Sequence, residues 1–297
     1  MGISVTINVM SEDALRLSLV IPVYNEEHHI KACLNAIAAQ TAAPFEVILV
    51  DNNSTDKTVE IAKHFPFVKV INEPRQGRGW ARTAGFNAAK GEIIGRIDAD
   101  SRIDPDWVEH AVRHFTHETS LHGITGLGRA SMLPRTGRIT GKFWSRAYYW
   151  VVHSSFHTIT MWGANMAIRR SAWLAVKDDV CNDDAIVHED QDVSLCMAAK
   201  GLVIEQDNHL TISTRGQTYH YFPKILHYNA LKASTMKLHK EKGTFQSKDF
   251  PRLSYWRTLP GQLYSYVIGV PFLIASLVLL PLDLLMVALG HKRTWLD

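Results

Sequence analysis

Between residues 17 and 100 the chain alternates four short apolar runs with stretches of helical periodicity, and that alternation limits the fold to very few choices. The runs are Leu17 to Val23, Phe45 to Val50, Phe67 to Ile71 and Ile93 to Ile97. Between the first two, Ile30, Leu34, Ile37 and Ala38 recur at the spacing of one helix face. Helices from about Lys57 to His64 and from about Trp80 to Ala89 are expected in the next two intervals. The order β-α-β-α-β-α-β implies an α/β fold whose sheet is mostly parallel and flanked by helices.

Each run breaks off in a polar cluster. Tyr24-Asn25-Glu26 follows Pro22 and Val23, Asp51-Asn52-Asn53 follows the second run, and Asp98-Ala99-Asp100 follows the fourth. All three clusters therefore collect along the edge formed by the C-terminal ends of the strands, where open α/β sheets bind ligands. Such an edge suits a nucleotide. Glu26 or Asp51 is placed to accept from base or ribose groups, with Arg82 and the backbone of Gly77 and Gly79 near the phosphates. In extended backbone residues two apart face the same way. Asp98 and Asp100 can thus share one hard cation, Mg²⁺ or Mn²⁺; the other reading is an acidic turn.

These segments resemble the family 2 glycosyltransferases of GT-A fold, across about residues 17–215. The likeness rests on Val-Ile-Pro-Val-Tyr-Asn-Glu, Val-Ile-Leu-Val-Asp-Asn-Asn-Ser-Thr-Asp, Gly-Arg-Gly-Trp-Ala-Arg-Thr-Ala-Gly-Phe-Asn and Gly-Glu-Ile-Ile-Gly-Arg-Ile-Asp-Ala-Asp, in that order. The resemblance implies a Rossmann-like domain that binds a nucleotide-sugar through Pro22, Tyr24, Glu26, Asp51, Gly79, Arg82 and Asp98. It implies a base contact for Asp51 and metal-bound diphosphate at Asp98 and Asp100. Arg96 departs from the family pattern, since an apolar residue is usual inside the fourth strand; a phosphate or an internal acid are its two candidate partners. Further on, Gly163-Ala-Asn165 and Arg169-Arg170 match another family segment, where Asn165 is either a donor contact or a structural hydrogen bond. The pair Glu189-Asp190 matches the family's acidic motif, which makes Asp190 the general base toward the acceptor and puts Glu189 beside the donor.

Asp104-Pro105 reads as a cap opening a helix through about Phe115. Residues 129–152 are basic and aromatic without an acid, and either pack on the sheet or form an interfacial, acceptor-facing helix. A third metal ligand among His209, His220 and His227 is one option; ordinary core or surface histidines are the other. From Phe222 to Gln262 lysine and arginine prevail, and Leu259 to Leu282 carries no charge. Such a run is long enough to span a bilayer once, or to enter and return as a hairpin, although a buried core segment has the same composition. The expected division is a catalytic domain at 1–225, a basic juxtamembrane segment at 226–262 and a hydrophobic membrane segment with a basic tail at 263–297.

Three cysteines without ligand spacing suggest reduced thiols, and a net charge of +3 gives no reason to expect a nucleic-acid partner. The combined expectation is a metal-dependent, inverting glycosyltransferase on the cytoplasmic face of a membrane, with a lipid or lipid-linked acceptor. A processive polymer synthase fits less well, because no Gln-x-x-Arg-Trp motif occurs. A nucleotidyltransferase would need a glycine-rich loop after the first strand, and a catalytically silent nucleotide-binding scaffold would not need its acids.

Overall fold

The computed structural model describes residues 15–130, 158–214 and 221–243 of the 297-residue chain. The elements run β1 (Leu17–Val23), α1 (Ile30–Ala38), β2 (Glu46–Asp51), α2 (Thr58–Ala62), β3 (Val68–Asn72), α3 (Arg78–Ala88) and β4 (Ile93–Ile97). Then come β5 (Arg102–Ile103), α4 (Trp107–His117), β6 (Leu121–Ala130), β7 (Asn165–Arg169), α5 (Arg170–Val176), α6 (Glu189–Ala199), β8 (Val203–Thr214) and α7 (Tyr221–Glu241).

All eight strands join one sheet in the order β3-β2-β1-β4-β7-β6-β8-β5. The first four are parallel, as the alternation requires, with Ile21 opposite Leu49 and Val20 opposite Arg96. Beyond β4 the sheet becomes mixed: β7 runs antiparallel to both β4 and β6, and β5 antiparallel to β8. β6 and β8 are parallel again, so six of the eight strands run one way and the mixed sheet is mostly parallel. The mixing follows from the route of the chain: β5 pairs at the far edge beside β8, and β7 lies between β4 and β6, antiparallel to both.

Successive residues of β1 and β2 feed opposite faces of the sheet, and both faces are covered. Leu17, Leu19, Ile21, Val47 and Leu49 join α1 and α4 in one core, around Trp107. Val20, Ile48 and Val50 join α3, α5 and α6 in the other, around Phe86 and Trp173. Helix α1 buries Ile30, Cys33, Leu34 and Ile37, the stripe its spacing announces. Helix α6 differs, because its residues from Glu189 to Met197 are all buried, acids included.

Neither α1 nor α4 has a side-chain hydrogen bond from its N-cap residue. Helix α1 begins only at Ile30 with no acid in its first turn; Glu27 instead accepts a hydrogen bond from the Lys57 backbone N–H. The N-cap position of α4 falls on Asp106 rather than Asp104, whose carboxylate accepts the Thr211 hydroxyl on β8. Among the described residues no helix is long and apolar enough to cross a membrane. The basic-aromatic stretch from 131 to 152 and the apolar segment at 263–297 lie outside the described residues. Helix α7 runs across residue 225 and packs Leu231, Thr235 and His239, at i, i+4 and i+8, against the domain.

Candidate active site

Along the C-terminal edge of β1 and β2 the two polar clusters hold each other. Asn25 and Asn53 take left-handed backbone (φ 55° and 67°), a conformation asparagine tolerates better than most residues. The Asn25 Oδ1 accepts the Thr55 N–H at 2.8 Å, and the Glu26 N–H donates to Thr58 Oγ1 at 2.7 Å. Asp51 closes its own turn by accepting the Ser54 N–H. Tyr24 stands exposed on this rim, while Pro22, Glu26 and Asp51 are half-buried. Asn52 is the clip to the next loop. Its Nδ2 donates to the Glu73 and Arg75 carbonyls and its Oδ1 accepts the Gly77 N–H.

Helix α3 starts at that clip and is seated against the segment preceding α6. A Cβ at Gly79 would collide with the backbone of Asn182, so only glycine permits this approach. Three residues on, Arg82 has no exposed surface. Its guanidinium donates to the Glu189 carbonyl at 2.8 Å, to Glu189 Oε2 at 3.1 Å and to Asn182 Oδ1 at 3.0 Å. Arg82 is thus a buried brace for α6 rather than a surface group on the phosphate side. Asn165 is likewise fully buried. It accepts the Trp107 Nε1–H and donates to the carbonyls of Leu127 and Leu210, so the structural alternative is the one observed.

Asp98 is the first residue after β4, and Ala99 and Asp100 form the turn that follows. The strand has already ended, yet Ala99 is buried and both flanking acids keep solvent access. The side chain of Asp98 is 46% exposed. Packed protein around it pushes the Asp98 carboxyl up; Arg96 opposes this, and the charges of Asp100 and Glu189 reinforce it. A bound divalent cation would reverse that balance. The buried Cys33 thiol is raised first by burial and then by Asp100, Asp98 and Glu26, three carboxylates near one point.

Arg96 joins this edge to α6. Its Nη1 lies 2.6 Å from both Glu189 Oε1 and Asp190 Oδ1, and its Nη2 lies 3.4 Å from Asp98 Oδ1. An internal acid, not an open phosphate site, is therefore where Arg96 points. Burial disfavours its charge, but the Glu189, Asp190 and Asp98 carboxylates together hold it well above the usual range. Glu189 is pushed up by burial; Arg96 and Arg82 oppose that, while Asp190 adds to it. The other oxygen of Asp190 accepts the Gly163 N–H at 2.8 Å. A side chain at Gly163 would strike both Arg96 and Asp190. The start of α6 is fixed from behind by α7, where Thr235 Oγ1 accepts the His188 N–H and His239 Nε2 meets Asp192 Oδ1 at 2.9 Å.

Asp98, Glu189 and Asp190 therefore meet through one buried cation, with Asp100 beside them, and Tyr24, Glu26 and Asp51 line the same strand ends. Arg82 and Arg96 are buried among these carboxylates, and Arg78 also acts on Asp98. The hard oxygen donors at Asp98 and Asp100 fit a divalent cation of the Mg²⁺ or Mn²⁺ type. Of the histidines considered as a third ligand, His209 lies beside His110 instead, His220 is outside the described residues, and the His227 side chain is not described. Unforeseen from sequence are Asn182, the clip made by Asn52 and the hub role of Arg96. Asn52 showed as part of a polar cluster and Arg96 as a charge inside an apolar strand, while Asn182 carried no signal.

The model of "Glycosyl transferase family 2" matches residues 18–172. A putative glycosyltransferase, EpsH of Bacillus subtilis, is 38% identical over 109 residues, covering 35% of this chain and 32% of that protein. Glycosyltransferase AglE of Haloferax volcanii is 38% identical over 103 residues, covering 32% of this chain and 34% of the relative. The chain thus spans about a third of the length of these curated relatives. Among solved structures, a mannosyltransferase of Pyrobaculum calidifontis, bound to GDP-Man and Mn²⁺, superposes with a TM-score of 0.60 at 17% identity, covering 95% of this chain and 88% of the other. Glucosyl-3-phosphoglycerate synthase of Mycobacterium tuberculosis, with Mn²⁺ and UDP, gives 0.55 at 18% identity over 78% and 82% of the two chains. At these identities the likeness is one of fold, a GT-A-like mixed α/β sheet flanked by helices. The match over more than half of the chain shows that it belongs to glycosyltransferase family 2.

Proposed function

We propose that this chain transfers a sugar from a nucleotide-sugar to an acceptor hydroxyl with inversion, in one displacement. What carries the reading is the meeting of Asp98, Glu189 and Asp190 on Arg96 at the C-terminal edge of the sheet. Tyr24, Glu26 and Asp51 form the nucleoside side of the site, with Asp51 toward the base. Asp98 and Asp100 would hold a divalent cation, Mg²⁺ or Mn²⁺, which neutralises charge developing on the diphosphate leaving group.

Asp190 takes the acceptor proton. Its carboxylate offers roughly four lone-pair positions, and Arg96 and the Gly163 N–H do not exhaust them. A carboxylate is a weak base, so its placement by those two donors does much of the work. Glu189, Arg82 and Gly79 act one step removed, by fixing the first turn of α6 and the approach of α3. Asn165 supports the strands behind the site.

The relatives' donors support the donor class, since solved neighbours are bound to GDP-Man or UDP. For the acceptor we infer a lipid or lipid-linked alcohol at the cytoplasmic membrane face, on the sequence evidence of the uncharged run from Leu259 to Leu282 and the basic stretch before it. The test is a thermal-shift screen of purified protein with UDP-, GDP- and dTDP-sugars, with and without Mn²⁺, for wild type and Asp100→Ala. Metal-dependent stabilisation by one base, lost in the variant, is expected. A folded protein that answers no nucleotide in the presence of metal would instead be a silent scaffold.

A further inference from the structure

Two histidines of α4 and an aspartate of β8 converge. His110 and His114 stand four residues apart, on one face of the helix. His110 Nε2 lies 2.6 Å and His114 Nδ1 2.9 Å from the same atom, Asp207 Oδ2. Asp207 reaches them because β8 bulges. Register with β6 passes from Thr125 opposite Gln206 to Leu127 opposite Thr211, so four residues, 207–210, face Gly126 alone. Irregularities of this kind re-aim side chains, and here the loop closes on itself through the His209 N–H, which donates to Asp207 Oδ1.

We propose that His110, His114 and Asp207 form a second metal site, distinct from the Asp98/Asp100 edge and suited to a zinc-class cation that pins α4 to β8. Two imidazoles and one carboxylate are a zinc-type ligand set, and a His-x-x-x-His pair on a helix is a common way to present it. All three ligand atoms lie within 4.8 Å of one another. Donors at about 2.0–2.1 Å on a tetrahedral zinc stand about 3.3 Å apart. The present separations of 2.6 and 2.9 Å need to open by less than an ångström. Asp207 is 4% exposed while His110 and His114 keep 16% and 23%, so an ion can enter from solvent. Although burial pushes the Asp207 carboxyl up, the His209 N–H and the two imidazoles outweigh it and hold it below its ordinary value. Glu205 Oε2, 3.8 Å from His114 Nε2, stands at that ring's other nitrogen, where a carboxylate can orient the imidazole.

Ligation uses ring nitrogens that now face a carboxylate oxygen, so each ring proton there must move to the other nitrogen or leave. For His110 that other nitrogen accepts from Arg113 at 3.1 Å, an exposed contact that must turn away. The set lacks the hard oxygen character of the Asp98/Asp100 edge, and that chemical difference makes the two sites separable by experiment.

The test uses the full purified chain, stripped with chelator and then equilibrated with Zn²⁺, Mn²⁺ or Mg²⁺. Bound metal is measured after gel filtration, and the melting temperature is recorded for each. Wild type and the donor-edge variant Asp98→Asn/Asp100→Asn should each retain one zinc at His110/His114/Asp207 and melt higher with Zn²⁺ than with Mg²⁺. His114→Gln and His110→Gln should lose that zinc and the accompanying rise, with circular dichroism unchanged. Wild type that retains no stoichiometric zinc would overturn the proposal, whatever the variants do. So would folded His114→Gln that retains it, because the ion would then sit elsewhere. Loss of nucleotide response in the donor-edge variant reports separately on the proposed transferase site.

Discussion

Replacing Arg96 with methionine keeps most of the side-chain length while removing the one cation that Glu189, Asp190 and Asp98 share. Its Nη1 is 2.6 Å from two of those carboxylates, and both partners are almost fully buried. Breaking a buried pair from one side costs about 3–5 kcal/mol, because the remaining charge has no compensation. Arg82 still braces Glu189 but makes no contact of this kind with Asp190. At about 2–4 °C per kcal/mol for a domain of this size, Arg96→Met should melt about 6–20 °C below wild type at neutral pH. The deficit should also depend on pH with a definite sign. Burial already raises Glu189 above its ordinary 4.5, and losing Arg96 raises it further. A carboxyl raised by folding keeps its proton longer in the native state, so stability is intact below the unfolded value and declines as pH climbs through the folded one. Melting curves at about pH 5 and pH 7.5 should therefore show a smaller deficit at the lower pH. An unchanged melting temperature at neutral pH, or a deficit of equal size at both, would refute the hub role of Arg96.

Two further substitutions test neighbouring claims. Gly163→Ala should force Arg96 and Asp190 apart at an overpacking cost of about 1–3 kcal/mol, and transferase turnover should fall far more than the affinity for nucleotide, read by isothermal titration. Asn165→Leu strands the Trp107 indole N–H and two carbonyls, at about 1–3 kcal/mol for each unpaired group; urea unfolding should register that loss. The same variant should bind nucleotide-sugar as wild type does, whereas a weakened donor affinity in folded protein would restore Asn165 to the donor site.

What could be read in advance follows the range of the interactions. The strands β1 to β4 and the buried face of α1 depend on periods of two and about 3.6 residues, so Leu17–Val23 and Ile30–Ile37 announce themselves. Asp98 and Asp100 were visible because they end an apolar run. The fates of Arg82, Arg96 and Asn165 were not, since each is decided by partners far along the chain: Glu189 is 107 residues from Arg82, and Asp190 is 94 from Arg96. A polar side chain in sequence looks the same whether a ligand or a buried carboxylate answers it. The Asp104 carboxylate likewise meets a distant partner, Thr211, at a separation of 107 residues. His110 and His114 show their helical spacing openly, while the third member of their cluster sits on a bulge that no local pattern foretells.

The seating of α7 on α6 has a practical consequence. Asp192 and His239 are both fully inaccessible and hold each other across the two helices, and Thr235 holds the N–H of the residue just before Glu189. A shortened chain that stopped at residue 225 would cut α7 within its first turns, bare the Asp192 carboxylate and loosen the very turn that carries Asp190. Truncations meant to remove the apolar tail should therefore end beyond Gly243, keeping the whole of α7.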